Sequence, residues 1–272
     1  MKKMTPFVII VTLASSCERI EYYPDKPLAF EKTLIISHQG GGYFDAGNTM
    51  EACMYGLERA DGIEVDIQKD DDDNLWLNHS ASLPACGTMT QSCFGSRRTE
   101  AIIQLDACLG DDINYTQLEW VFEYMNINYP QSFLSLDVKP WKPCELANIN
   151  VDHEMNTMAK EIISLATKYH MGDRVMVESE SGDFLYYVKT HSDKIQTYLV
   201  TLGDFELGVS RALDAGFSGI SFQYKNDGSV TKELVDLMRR KGLRIQVWTI
   251  EAAEDMDEAL KLNPDFLQTD VL

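Results

Sequence analysis

Two imidazoles, three carboxylates and one lysine stand at or near the ends of short apolar runs in this chain: His38, His79, Glu64, Asp66, Asp137 and Lys139. Glu64 and Asp66 are spaced by two, and so are Asp137 and Lys139. In an extended strand that spacing puts both members of a pair on the same side. Three carboxylates from two neighbouring strands would make an oxygen cage for one hard divalent cation, Mg²⁺ or Ca²⁺. A caged cation and a lysine stabilise charge on a phosphate, while two imidazoles move protons, so the chemistry predicted is phosphoryl transfer. An isolated Glu-x-Asp is usually a solvated strand face, and a strand-end histidine is usually structural. The chemistry rests on all six meeting at one rim.

Such a meeting needs elements that bring distant segments together. Short runs rich in β-branched and aromatic residues recur at Thr33–Ser37, Gly62–Ile67, Ser132–Val138, Arg174–Glu178, Ile195–Val200, Ser218–Phe222, Leu243–Trp248 and Asp265–Gln268. Continuous apolar runs of this length read as buried parallel strands. Amphipathic helical patterns lie between them at Met155–Tyr169, Phe205–Ala215, Thr231–Lys241 and Ala253–Leu262, and Gly172, Gly216 and Gly242 fall where helix C-caps are expected. Eight strands with intervening helices predict an α/β chain folded as a (β/α)8 TIM barrel, whose active site lies at the C-terminal ends of the strands. An open doubly wound sheet would need a G-x-G-x-x-G turn after the first strand, and Gly40-Gly41-Gly42 lacks that spacing. Residues 68–131 are too long for one connection, so a hairpin through Leu75–Asn78 and a small insertion are expected there. The charged run Asp70–Asp73 lacks the glycine and glutamate offsets of a calcium loop and reads as a solvated turn. His153, His170 and His191 sit in helical or loop segments and carry no assigned chemistry.

The formal charge of −19 over 272 residues argues against a nucleic-acid partner, which needs clustered lysine and arginine. It does not exclude a small phosphorylated substrate, because a bound cation inverts the local field. At the N-terminus, Lys2 and Lys3 precede the apolar run Phe7–Leu13 and the small residues Ala14-Ser15-Ser16 before Cys17. This pattern predicts export with Cys17 as a lipidated anchor, making a bacterial lipoprotein facing the periplasm or the cell surface. The expected division is 1–17 signal and anchor, 18–32 tether, and 33–272 barrel. An exported chain can form disulfides. Cys86, Cys93 and Cys108 share one loop-rich stretch, but the pairing stays open, and Cys53 and Cys144 are candidates as well.

The ordered segments also resemble a known family. Ile36-Ser37-His38-Gln39-Gly40-Gly41 is similar to the H-R-G motif that opens glycerophosphodiester phosphodiesterases, and Gly47-Asn48-Thr49 to their E-N-T. Asp61–Ile67 resembles D-x-I-E-x-D-V, Leu77-Asn78-His79 the strand end with the second histidine, and Leu136–Lys139 the E-x-K strand. Tyr115–Glu119 resembles P-T-L-E-E, Val247–Ile250 resembles V-W-T-V, and Asp265–Asp270 resembles D-G-I-I-T-D. The resemblance implies His38 and His79 as the acid–base pair, Glu64, Asp66 and Asp137 as metal ligands, and Lys139 on the phosphate. It also implies Gln39 on the phosphate side and Trp248 near the alcohol of a small phosphodiester substrate.

Four positions depart from the pattern. Gln39 replaces an arginine, Gly47 a glutamate, Ser80 an aspartate, and Asp137 the longer glutamate. A neutral amide cannot reproduce the forked, charged grip of a guanidinium. The cage and both imidazoles are retained while the phosphate grip is thinned. The alternatives left open are a related barrel enzyme acting on a phospholipid or sugar ester, and a surface binding protein with a degenerate site.

Overall fold

The computed structural model describes residues 32–44, 46–110, 115–139, 144, 150–225 and 230–272. Eight parallel strands form a closed ring: β1 (Leu34–Ser37), β2 (Gly62–Lys69), β6 (Phe133–Val138), β7 (Val175–Ser179), β8 (Gln196–Thr201), β9 (Gly219–Gln223), β10 (Arg244–Ile250) and β11 (Phe266–Thr269). Pairing of β1 with both β11 and β2 closes it. This is the (β/α)8 barrel expected from the run spacing. A short strand β3 (Leu75–Leu77) folds back antiparallel onto β2 and forms the anticipated hairpin.

Alternation along each strand divides the side chains into two sets. Ile63, Val65 and Ile67 of β2 and Leu134, Leu136 and Val138 of β6 belong to the main apolar cluster with residues of the surrounding helices. That layer includes α1 (Met50–Leu57), α3 (Leu118–Asn128), α4 (Val151–Lys168), α5 (Gly182–His191), α6 (Phe205–Ala215), α7 (Lys232–Arg240) and α8 (Ala253–Lys261). The alternate positions form a different cluster. Leu34, Ile36, Met176, Tyr198 and Phe266, with Phe133 against them, plug the N-terminal half of the barrel. The polar members of the same faces, Glu64, Asp66 and Asp137, are left nearer the opposite end. Side-chain N-caps from Thr49, Asn150, Ser181, Asp204 and Thr231 begin α1, α4, α5, α6 and α7.

Two details differ from the sequence reading. Gly172 is no helix cap: α4 ends at Lys168 with Tyr169 as its cap, and His170 takes the left-handed position at φ 54°. Gly216 and Gly242 do take positive φ at the ends of α6 and α7. The run Asp70–Asp73 is not simply solvated. Asp70 is fully buried and accepts from the Asn74 and Asp72 amides, Trp76 Nε1 and Thr99 Oγ1, holding the hairpin to α2 (Thr99–Leu109).

The insertion between β3 and α3 also contains a two-stranded sheet of β4 (Ser82–Leu83) and β5 (Ser92–Cys93), one internal disulfide, and a second that ties it to the segment after β6. Cys86 pairs with Cys108, and Cys93 pairs with Cys144, while Cys53 is a buried free thiol. The predicted leader, the anchor Cys17 and nearly all of the tether lie outside the described residues.

Candidate active site

Each candidate residue reaches the C-terminal rim by a short local route. His38 directly follows β1, Glu64 and Asp66 alternate along β2, and Asp137 lies in β6 with Lys139 just beyond its end. β6 pairs with β2 in parallel with Asp66 opposite Asp137, so strand register alone sets the carboxylates side by side. The hairpin brings His79 back two residues after β3. Trp248 comes from β10, across the mouth.

All eight side chains named from the sequence, with Gln39 among them, line one cavity of about 320 Å³. Glu64, Asp66 and Asp137 each offer an oxygen within 4.8 Å of the others. Lys139 Nζ donates to Asp66 Oδ1 at 2.6 Å and to Asp137 Oδ2 at 2.5 Å. Asn48 grips Asp66 twice: its Nδ2 donates to Asp66 Oδ2 at 2.9 Å, and its Oδ1 accepts the Asp66 backbone N–H at 2.9 Å. The Gln39 backbone N–H donates to Glu64 Oε2 at 2.9 Å.

The electrostatics are those of crowded acids with too little positive charge. Burial pushes Glu64 well above the usual carboxylate range, and the charge of Asp66 adds to it. Burial also raises Asp137, to about 7, because Asp66 and Glu178 reinforce the burial and Lys139 offsets only part. Asp66 is buried as well, yet Lys139 and Asn48 hold its pKa below the ordinary value. Clustered, partly protonated carboxylate oxygens fit a hard divalent cation, which would displace the protons and relieve the repulsion.

His38 is fixed by a residue the sequence reading did not single out. Its Nδ1 meets Asp270 Oδ1 at 2.7 Å, leaving Nε2 on the cavity side, 3.9 Å from Glu64 Oε2. Burial opposes charge on this ring, but the Asp270 hydrogen bond and the nearby carboxylates override it and raise the pKa to about 9. Glu178 was missed too, because V-M-V-E-S reads as an ordinary strand. It is buried in the barrel beneath the cage and accepts from Ser135, Ser221, Gln246 and Gln268. Asp270 did carry a signal, since it closes the Asp265–Asp270 motif. Asn48 carried one as the centre of Gly47-Asn48-Thr49.

On the far side, Val200 comes from β8 and Leu202 follows it, Gln223 ends β9, and Trp248, Thr249 and Glu251 come from or follow β10. One end of the cavity is therefore acidic and cation-ready, while the other offers an aromatic and aliphatic wall with polar groups between. The barrel and this rim define the class as a hydrolase of phosphoric diesters.

Comparison with known proteins gives the narrower placement. The family model for the glycerophosphoryl diester phosphodiesterase family matches residues 38–272, and the chain belongs to that family. It is 23% identical over 247 residues to a glycerophosphodiester phosphodiesterase of Caldanaerobacter subterraneus subsp. tengcongensis, covering 88% of this chain and 94% of the relative. The fold is similar to a crystal structure of a glycerophosphodiester phosphodiesterase from Parabacteroides distasonis, with a TM-score of 0.70 at 18% identity, covering 90% of this chain and 94% of that one. It is also similar to an Oleispira antarctica phosphodiesterase solved with the product sn-glycerol-3-phosphate, with a TM-score of 0.69 at 14% identity, covering 87% and 92% of the two chains.

Proposed function

We propose that this protein is a divalent-cation-dependent enzyme that hydrolyses glycerophosphodiesters to an alcohol and a phosphomonoester. The observation that carries the reading is the convergence of Glu64, Asp66 and Asp137 to within 4.8 Å, in a cavity that His38 and His79 also line. Glu64, Asp66 and Asp137 would hold Mg²⁺ or Ca²⁺, which when bound neutralises charge on the phosphoryl oxygens. Lys139, already tied to Asp66 and Asp137, adds a second positive charge on the phosphate side.

The histidines divide the proton work. His38, kept charged by Asp270, gives its Nε2 proton to the departing alcohol oxygen. His79, at the end of the hairpin beyond β2, takes the proton from the attacking oxygen of water, or of a neighbouring substrate hydroxyl, in which case a cyclic phosphate forms first and water then opens it to the phosphomonoester. With Gln39 in place of a guanidinium, the phosphate is held chiefly by the cation and Lys139. Trp248, Val200 and Leu202 supply the surface on which the alcohol packs.

Export and lipid anchoring at Cys17 belong to the same proposal, which would place the enzyme outside the cytoplasm on a membrane. Two disulfides support an oxidising compartment. The test is hydrolysis of glycerophosphocholine and glycerophosphoinositol by purified protein with Mg²⁺, Ca²⁺ or chelator. Turnover should require a cation and disappear in His38→Ala and in His79→Ala. Cation-independent turnover, or activity that survives both substitutions, would refute the mechanism.

A further inference from the structure

Two departures from the family motif, Gln39 and Gly47, lie against each other in the structure. We propose that they act as one positioning unit for the carboxylate cage: the absence of a side chain at 47 lets Gln39 lie close enough to hold Glu64 and Asp66 in place. The inference rests on the reading of the cage as a cation site.

The loop from β1 to α1 holds the cage at two points. At one, the Gln39 backbone N–H donates to Glu64 Oε2 at 2.9 Å, and its side-chain Nε2 approaches Asp66 Oδ2 at 3.4 Å. At the other, Asn48 makes its two bonds to Asp66. The two points are joined, because the Asn48 N–H donates to the Gln39 carbonyl at 2.8 Å. A shift that separates residue 39 from residues 47 and 48 therefore loosens both carboxylates together.

A Cβ on residue 47 would force that shift. It would stand 2.5 Å from Gln39 Oε1 and 2.8 Å from Gln39 Cβ. The amide oxygen could swing away, but the Cβ is fixed by the backbone and could not. Gln39 is also held at φ 49°, in the left-handed region that side chains other than glycine rarely adopt. A glycine at 39 would remove both opposing atoms and take that φ without strain, while keeping the backbone N–H that reaches Glu64. In this chain the side chain of residue 39 fills the space that a side chain at 47 would take. Restoring an acidic residue at 47 alone would therefore damage the cage.

The experiment is a double-mutant cycle on the whole protein with Gly47→Ala, Gln39→Gly and the double variant. Mg²⁺ and Ca²⁺ affinity is read by titration calorimetry, with thermal unfolding and with kcat and KM for glycerophosphocholine alongside. Gly47→Ala should weaken cation binding by about 10- to 100-fold, the usual effect of disturbing a residue that orients a ligand. The loss should fall on kcat more than on KM. In the Gln39→Gly background the same substitution should change affinity by less than about threefold, since the clash it would create is gone. Equal losses in both backgrounds, or no loss in the wild-type background, overturn the inference. Should Gly47→Ala not fold, the double variant still decides: a folded, cation-binding double supports the unit, and an unfolded or non-binding one overturns it. A wild-type protein that binds neither cation would overturn the cage reading along with it, whereas binding indifferent to residue 47 overturns only this inference.

Discussion

Replacing Asp270 with Asn tests whether the charge state of His38 is set from the last strand of the barrel. Burial disfavours charge on the ring, and the 2.7 Å contact with Asp270 is the leading influence that overrides it. A hydrogen bond to a charged group is worth about 1.5–3 kcal/mol, and one pKa unit corresponds to about 1.4 kcal/mol. Asparagine keeps an oxygen that accepts from Nδ1 but loses the carboxylate charge, so His38 should come down from about 9 by about one unit. At pH 8.5, roughly three quarters of the wild-type ring is charged, and about a quarter would be in the variant.

Turnover of glycerophosphocholine should therefore fall about threefold at pH 8.5, but less than about twofold at pH 6, if His38 is the acid. The alkaline limb of the rate profile should move down by the same unit. Stability gives an independent check. A histidine whose folded pKa lies above its unfolded value stabilises the fold fully below about 6.5, and that stability is lost as pH rises through about 9. Asp270→Asn should then be destabilising at pH 6 and nearly neutral at pH 10, by urea unfolding. An alkaline limb that stays in place would refute the assignment of His38 as the acid.

Two further perturbations probe the cage and the layer beneath it. Protons should compete with the cation below about pH 7, because Asp137 and Glu64 both ionise above the usual range. Affinity should drop by up to about tenfold per pH unit per proton, and calorimetry at pH 6 in buffers of different ionisation heat should report proton release. Binding that is flat from pH 5 to 8 would contradict the carboxylate ligands. Glu178→Leu would leave the Gln246 and Gln268 amides without an acceptor in the barrel, costing about 2–6 kcal/mol in urea unfolding. Glu178→Gln should cost about 1 kcal/mol, since the Ser221 hydroxyl can turn and the free Gln246 Oε1 can accept in its place. Equal losses for the two would show that the hydrogen bonds to Glu178 do not matter.

The sequence alone determined whatever depends on period and on short spacing. Runs of four to eight apolar residues alternating with helical patterns specify parallel strands covered by helices, and their number specifies closure. The two-residue spacing of Glu64 and Asp66 decides that both take the same face, because strand side chains alternate whatever surrounds them. The tertiary structure decided whatever depends on which distant residues arrive at the same point. Asp270 reaches His38 across 232 residues only because β11 closes against β1. Glu178 is indistinguishable from any strand residue until the barrel sets Ser135, Ser221, Gln246 and Gln268 around it. The cysteine pairing and the contact between Gln39 and Gly47 were hidden for the same reason: a local pattern fixes the direction a side chain takes from its own backbone, while its partner is fixed by packing.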